Sequence, residues 1–333
     1  MNRRQHNGMT LIELMVALAI GAFLMLGAVT VFMQSRTSFR VTESLSRLQE
    51  NARFALDTME PDIRMAHYWG LTARTFQITG RAAPTAPAGV GQHWCGNNWF
   101  LNLEKSIDGT NNAYSWGCGP NVGVAQPNSD TLVIRRASED AIAPGALTAS
   151  TTYIQSTRAV VPGGRIFVGT AIPGGFEPAP TSETHRLLVS GYFVSTQSSV
   201  PGLPSLRRKF LQTDGTAAEE EILVGVEDMQ VQFGVDTDVP GTPTAPNPSR
   251  GSIDRYVNPD DPIIDPTNAG FNPNAEVMAV RVWLRLRADR IENGLVDTTN
   301  YQYADRNAGV FNDRIRRLLV SKTIYVRNAR PPD

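Results

Sequence analysis

Only two cysteines and four histidines stand among 333 residues, and that scarcity closes off several chemistries. His6, His67, His93 and His185 are dispersed along the chain. His93 lies near Cys95, but no Cys-x-x-Cys or His pair completes a zinc set. No Gly-x-Ser-x-Gly elbow, P-loop or His-Glu-x-x-His occurs, so no catalytic constellation is legible and none that calls for a cofactor. Charge is also short. Asp, Glu, Lys and Arg make up 19% of the chain and the formal net charge is −1. That balance makes no electrostatic case for nucleic acid as a partner. The basic clusters Arg207-Arg208-Lys209 and Arg314, Arg316 and Arg317 read as solvated strand edges or loops. With 28 Gly and 22 Pro, the composition suits a loop-rich β domain better than a cytosolic helical enzyme. At this length the chain can bury a sizeable core without requiring two domains.

Apolar sequence is abundant in one place. From Met9 to Met33 there are 25 residues with one charge, Glu13. As a helix this run spans roughly 37 Å, against a hydrocarbon core of about 30 Å. A carboxylate at the start of such a helix is costly and calls for an explanation. A secretory signal peptide has an apolar core of about 7–15 residues that ends at a small-residue cleavage site. Here the core is longer, and the small residue Gly8 precedes it. A plain signal anchor, with Arg3 and Arg4 holding the N-terminus in the cytoplasm, explains the length and the charges. It does not explain Glu13 or the order Gly8-Met9-Thr10-Leu11-Ile12-Glu13.

That hexapeptide resembles the leader of type IV pilins and type II secretion pseudopilins. The resemblance implies cleavage between Gly8 and Met9 by an inner-membrane prepilin peptidase, followed by N-methylation of Met9. The family most often carries Phe at this first mature position, so Met9 is a departure. Cleavage would leave a cationic α-amine on Met9. Glu13 sits one helical turn on, in the first turn, where the helix dipole favours an anion. A buried carboxylate needs a partner. In a bundle of such helices a neighbouring subunit's amine would supply it, and Glu13 would set the axial register between subunits. The alternative is a Glu that merely reaches the headgroup region.

If residues 34–333 lie outside the inner membrane, their compartment is oxidising. A Cys95–Cys118 disulfide is then expected, constraining its loop by roughly 3 kcal/mol in the chain-entropy model. Two buried free thiols are the alternative reading.

Beyond Met33 the chain turns polar but keeps a helical period. Leu45, Leu48, Ala52, Ala55, Leu56, Met59 and Ile63 recur at three- and four-residue steps. Glu43 and Arg47 form an i,i+4 pair of favourable orientation. One helix is therefore predicted from Met9 to about Met59, with Pro61 kinking or ending it. From Gly70 to about Ser129 the sequence reads as irregular. Strands are predicted at 131–135, 165–169, 186–195, 206–211, 226–235, 277–288 and 316–326. In the fifth of these Met229, Val231, Phe233 and Val235 share one face. In the sixth Val280, Val282, Leu284 and Leu286 do. Residues 236–273 read as a long surface excursion. Within it Asp236-Thr237-Asp238 resembles the start of a calcium loop, but Val239-Pro240 breaks the EF-hand order, and a strand-end turn is the alternative. The sum is an α+β fold: one long helix packed on a mostly antiparallel sheet.

Further blocks are similar to PilW-type minor pilins. They are Leu48-Gln49-Glu50-Asn51-Ala52-Arg53-Phe54-Ala55-Leu56, Asp62-Ile63-Arg64-Met65-Ala66, Gly191-Tyr192-Phe193-Val194, Pro204-Ser205-Leu206-Arg207-Arg208 and the run from Val224 to Asp238. Residues 71–130 and 239–275 carry no part of the resemblance. That family often has a Cys soon after the helix, where this chain has Leu71. The resemblance implies a type IV pilin-like fold divided as leader 1–8, transmembrane and filament-core helix 9–35, amphipathic helix 36–66 and periplasmic β-rich domain 67–333. It implies a structural subunit, not an enzyme, held in the inner membrane with a cytoplasmic N-terminus and then passed into a type IV pilus. Assembly, twitching motility and adhesion are the implied roles. The implied partners are the prepilin peptidase, other minor pilins, the major pilin and a large tip adhesin. A minor pseudopilin of type II secretion is the nearest alternative. A membrane-anchored periplasmic binding protein or enzyme is a further one.

Overall fold

The apolar and amphipathic stretches join in one helix, α1 (Leu11–Arg64), of 54 residues. The computed structural model describes residues 9–72, 75–81, 95, 99–158, 163–174, 181–239, 241 and 247–329. The chain divides into two compact units, Met1–Arg47 and Leu48–Asp333.

In the first unit every large apolar side chain from Met9 to Met33 is exposed. A helix apolar all round needs lipid or other helices about it. Among the described residues α1 is the helix long and apolar enough to cross a membrane. The Thr30 hydroxyl, inside the apolar run, is turned back on the helix: its Oγ1 donates to the Gly27 carbonyl at 2.8 Å, so the group is satisfied without water.

In the second unit α1 buries one stripe, Leu48, Ala52, Ala55, Leu56, Met59 and Ile63. Pro61 neither kinks the element out of helix nor ends it at Met59, since α1 runs on to Arg64. Buried Asp62 and Ile63 hold that last turn against the sheet. The helix's own ion pairs fall at Arg53–Asp57 and Glu60–Arg64, not at Glu43–Arg47. Such surface pairs contribute little.

Among the described residues fourteen strands follow. They are β1 (Ile78–Thr79), β2 (Ile107–Thr110), β3 (Thr131–Ala137), β4 (Thr152–Thr157), β5 (Gly164–Val168), β6 (Ser182–Ser195), β7 (Ser205–Leu211), β8 (Ala217–Val224), β9 (Val226–Asp236), β10 (Arg255–Val257), β11 (Glu276–Ile291), β12 (Tyr301–Tyr303), β13 (Arg306–Gly309) and β14 (Ile315–Tyr325). The first eight form one sheet, ordered β1-β5-β4-β6-β3-β2, with β7 on β6 and β8 on β7. A second sheet runs β10-β9-β11-β14, and β12 pairs with β13. All pairings are antiparallel except β1 with β5. The fold is α+β, as the sequence pattern predicts.

The two faces of β6 explain the layers. Tyr192 and Val194 join Leu132, Ile134 and the α1 stripe in one core. Met229, Val231, Phe233 and Val235 of β9 and Val280, Val282, Leu284 and Leu286 of β11 extend that core over the second sheet. The opposite face of β6, with Leu187, Val189 and Phe193, packs a second core around Trp69, Phe100 and Trp116.

Three expectations need correction. The 70–129 stretch is not wholly irregular, because β2 pairs with β3 there. The excursion after Asp236 returns to the sheet as β10. The cluster Arg207-Arg208-Lys209 is not a solvated edge. It lies opposite Glu221, Glu220 and Glu219 of β8, with Arg207–Glu219 at 2.7 Å, Arg208–Glu220 at 2.6 Å and Lys209–Glu219 at 3.0 Å. Opposite charges directly across a strand pair stabilise the pairing. Register thus turns a charge run into a ladder, and Lys209 is buried at its end. The Arg317 side chain is likewise buried, bonded to Glu227, Asp297 and Asp313.

Candidate functional site

Thr10 is the first residue before α1, and Glu13 lies in its first turn. Three hydrogen bonds tie them together. Glu13 Oε2 accepts from the Thr10 backbone N–H at 2.9 Å and from Thr10 Oγ1 at 3.0 Å, and Thr10 Oγ1 accepts from the Glu13 N–H at 3.3 Å. Thr10-Leu11-Ile12-Glu13 is a capping box, which satisfies donors that a helix start leaves orphaned. The helix dipole and a neighbouring amine do not account for this local role, whose signature is the Thr-x-x-Glu spacing before an apolar run. Glu13 Oε1 accepts no hydrogen bond among the described residues. Met9 and Glu13 stand at the exposed start of the helix, while Gly8 lies outside the described residues.

Cys95 and Cys118 form a disulfide, as expected. Cys95 is buried in the aromatic core and Cys118 packs against it. The link closes the segment that carries Trp99, Phe100, Leu101, Leu103 and Trp116 into that core. Tyr114 Oη donates to the Cys118 carbonyl at 2.7 Å, fixing the loop's far end.

Asp236 and Asp238 come together, and Asp254 joins them from beside β10, with one oxygen of each within 4.8 Å of the others. These carboxylates also organise a turn. Asp236 accepts the backbone N–H groups of Asp238 and Gly251, and Asp254 accepts the N–H and hydroxyl of Thr237. Those bonds from Thr237 hold the Asp254 carboxyl below the usual carboxylate range. Such Asx-type bonding is what a strand-end turn uses.

The described histidines serve structure. His67 Nδ1 lies 2.8 Å from Ser106 Oγ, and buried His185 Nδ1 lies 2.8 Å from the Ser138 carbonyl. His6 and His93 lie outside the described residues.

A group not singled out from sequence is Asp62, buried on the last turn of α1. It accepts from Arg136 Nη2 at 2.9 Å and from Tyr192 Oη at 2.9 Å, and so pins the helix to β3 and β6. Burial, with Asp62 beside it, pushes the Tyr192 hydroxyl well up.

A capped apolar helix that becomes amphipathic and packs on an antiparallel sheet has the build of a membrane-anchored, type IV pilus-related pilin. Two family models match the chain. The Prokaryotic N-terminal methylation motif matches residues 3–29, and Type IV Pilus-assembly protein W matches residues 191–328. Together they match a PilW-family type IV minor pilin. No curated protein and no solved structure matches. Pilin-family domains are structural, and a type IV pilus context implies processing of the leader and contact with other pilins.

Proposed function

We propose that this chain is a minor pilin that primes or joins type IV pilus assembly and thereby serves twitching motility and adhesion. It is stored in the inner membrane with its N-terminus cytoplasmic and residues 67–333 periplasmic. The prepilin peptidase cuts between Gly8 and Met9, and Met9 is N-methylated. Residues 9–35 then enter the filament core and 36–66 carry the β-rich domain. Its partners are other minor pilins, the major pilin and a tip adhesin.

One observation carries this reading: the methylation-motif match falls on a helix start whose only carboxylate has one oxygen spent on the cap and one open. Oε2 closes the capping box, while Oε1 is left to receive a neighbour's Met9 amine. Folding of the helix start and registry between subunits thus use different atoms of Glu13.

Mass spectrometry of the mature N-terminus is expected to show methyl-Met9, and an intact Met1 would sink the proposal. Glu13→Gln keeps a residue that capping boxes accept but removes the charge. It is expected to leave membrane insertion intact and to block incorporation into pili; normal pili would refute the registry role. Deletion of the chain is expected to abolish or deplete surface pili. Loss of secretion with normal pili would instead favour a type II secretion pseudopilin.

A further inference from the structure

One face of the first sheet gathers three arginines, Arg136, Arg186 and Arg208, around one cavity. Leu132 and Ile134 of β3 and Tyr192 and Val194 of β6 lie on this face in the core under α1. Directly opposite residues of paired strands share a face. Arg136 pairs with Leu188, and Arg208 pairs with Tyr192, so both guanidinium groups stem from it. Arg186 precedes Leu188 by two residues on β6 and shares the same side. Together Arg136, Arg186 and Arg208 line a cavity of about 480 Å³ beside Asp62. That size falls within the usual range for small-ligand sites, roughly 300–1,000 Å³.

The carboxylates at hand do not use up these donors. Asp62 is engaged by Arg136 and the Tyr192 hydroxyl, and stands 3.9 Å from Arg208. Asp214 at the wall accepts the N–H and hydroxyl of Thr216. Arg208 Nη2 pairs with Glu220 at 2.6 Å, yet its Nε is buried with no acceptor among the described residues. Arg186 has no ion-pair or side-chain hydrogen-bond partner among them. A buried donor without an acceptor is costly, and each such group calls for a partner. The Phe210 ring, also in the cavity wall, lies 5.2 Å from the Arg208 guanidinium. Planar guanidinium forks match the oxygens of phosphate and carboxylate groups.

We propose that this cavity binds a small phosphate-type oxyanion, free or esterified, held by Arg186 and Arg208. The site lies apart from the capped helix start and does not depend on its role.

Isothermal titration calorimetry of the full chain in neutral-detergent micelles tests it. Inorganic phosphate and glucose 6-phosphate are titrated at low ionic strength, with chloride at matched ionic strength as baseline. Saturable one-site binding is expected. Arg186→Gln is expected to weaken it roughly tenfold or more, the loss of charge-assisted hydrogen bonds. It should leave the urea midpoint unchanged, because Arg186 has no partner to lose. Arg208→Lys keeps the charge but not Nε, and is expected to weaken binding several-fold by the geometry of the fork. Arg290→Gln, an exposed arginine paired only with Asp289, should bind as the parent does. Equal affinity for both ligands supports a site that reads the oxyanion alone; tighter binding of the ester supports one that also holds its organic part. No saturable heat from either ligand, or an equal loss in Arg290→Gln, overturns the proposal.

Discussion

Gly191 sits in the middle of β6 with its missing side chain aimed at the aromatic core. A Cβ placed there would lie 2.6 Å from Trp116 Cη2, 3.0 Å from Trp116 Cζ3 and 3.0 Å from Trp99 Cη2. Ordinary carbon contacts fall at about 3.5–4.0 Å, so the indole of Trp116 has to move by about 1 Å. It has little room to do so. Its ring centroid is 4.7 Å from Trp99, 4.7 Å from Tyr114 and 5.5 Å from Phe193, and the residue is 8% exposed. Overpacking of this kind costs about 1–3 kcal/mol. Against it stands the backbone: replacing a strand glycine by alanine gains about 0.5–1 kcal/mol. The clash wins, and Gly191→Ala is expected to lower stability by about 1 kcal/mol, the difference between the middles of those ranges. Equilibrium urea unfolding of the full chain in detergent, followed by tryptophan fluorescence, reads the change. Trp116→Leu removes the colliding atoms, so in that background the same substitution should cost less or become stabilising; the coupling isolates the contact. An alanine variant as stable as the parent, or a cost unchanged by Trp116→Leu, refutes the reasoning.

Replacing Cys95 and Cys118 together by Ser opens a link of sequence separation 23, and the chain-entropy model puts the loss at about 3 kcal/mol. Urea unfolding with and without reductant checks it; a loss below about 1 kcal/mol would assign the loop's order to Trp99, Phe100 and Leu101 rather than to the link. Met59→Ala empties a fully buried position under α1 and is expected to cost about 2–5 kcal/mol, whereas Phe54→Ala on the exposed side should stay within about 0.5 kcal/mol in detergent-held monomer. Equal costs by thermal unfolding would misplace the helix stripe. Asp313 is held below the usual carboxylate range by hydrogen bonds from Arg317. Its contribution is therefore complete above its unfolded value of about 3.9 and is lost as pH falls through the lower folded one. Unfolding free energies measured from pH 6 down to pH 2 should fall less steeply at the acid end in Asp313→Asn than in the parent; parallel acid limbs would exclude the effect.

How much of this was legible depended on whether a segment's partner lay in its own periodicity. The stripe Leu48, Ala52, Ala55, Leu56, Met59 and Ile63 repeats at helical steps, and it is the stripe that packs. The alternation of Met229, Val231, Phe233 and Val235 likewise gives the buried face of β9. β8 was not legible, because Ala217–Val224 carries Glu219, Glu220 and Glu221 in a row. Nothing local marks three carboxylates as strand. Arg207, Arg208 and Lys209 on the paired strand make them so, and only the register brings the two runs together. Pro61 shows the same limit from the other side. Local chemistry argues for a stop, but buried Asp62, bonded to Arg136 and Tyr192 from strands far along the chain, draws one more turn of helix onto the sheet.

The helix start divides in the same way. Thr10 and Glu13 are three residues apart, so the capping box is a purely local object and could be read from four letters. A carboxylate near the start of an apolar run would be costly if bare in lipid, and the box would remove part of that cost within a single chain. This weakens the argument that Glu13 needs a neighbouring subunit merely to be tolerated. It sharpens the argument for what a neighbour would add. With Oε2 accepting both Thr10 donors, the carboxylate is held in one place with Oε1 unspent. A side chain so fixed loses little further freedom on meeting an incoming amine, which is how preorganisation favours binding. On the proposed register role, the cap that makes the residue tolerable in one chain would also prepare it for a second.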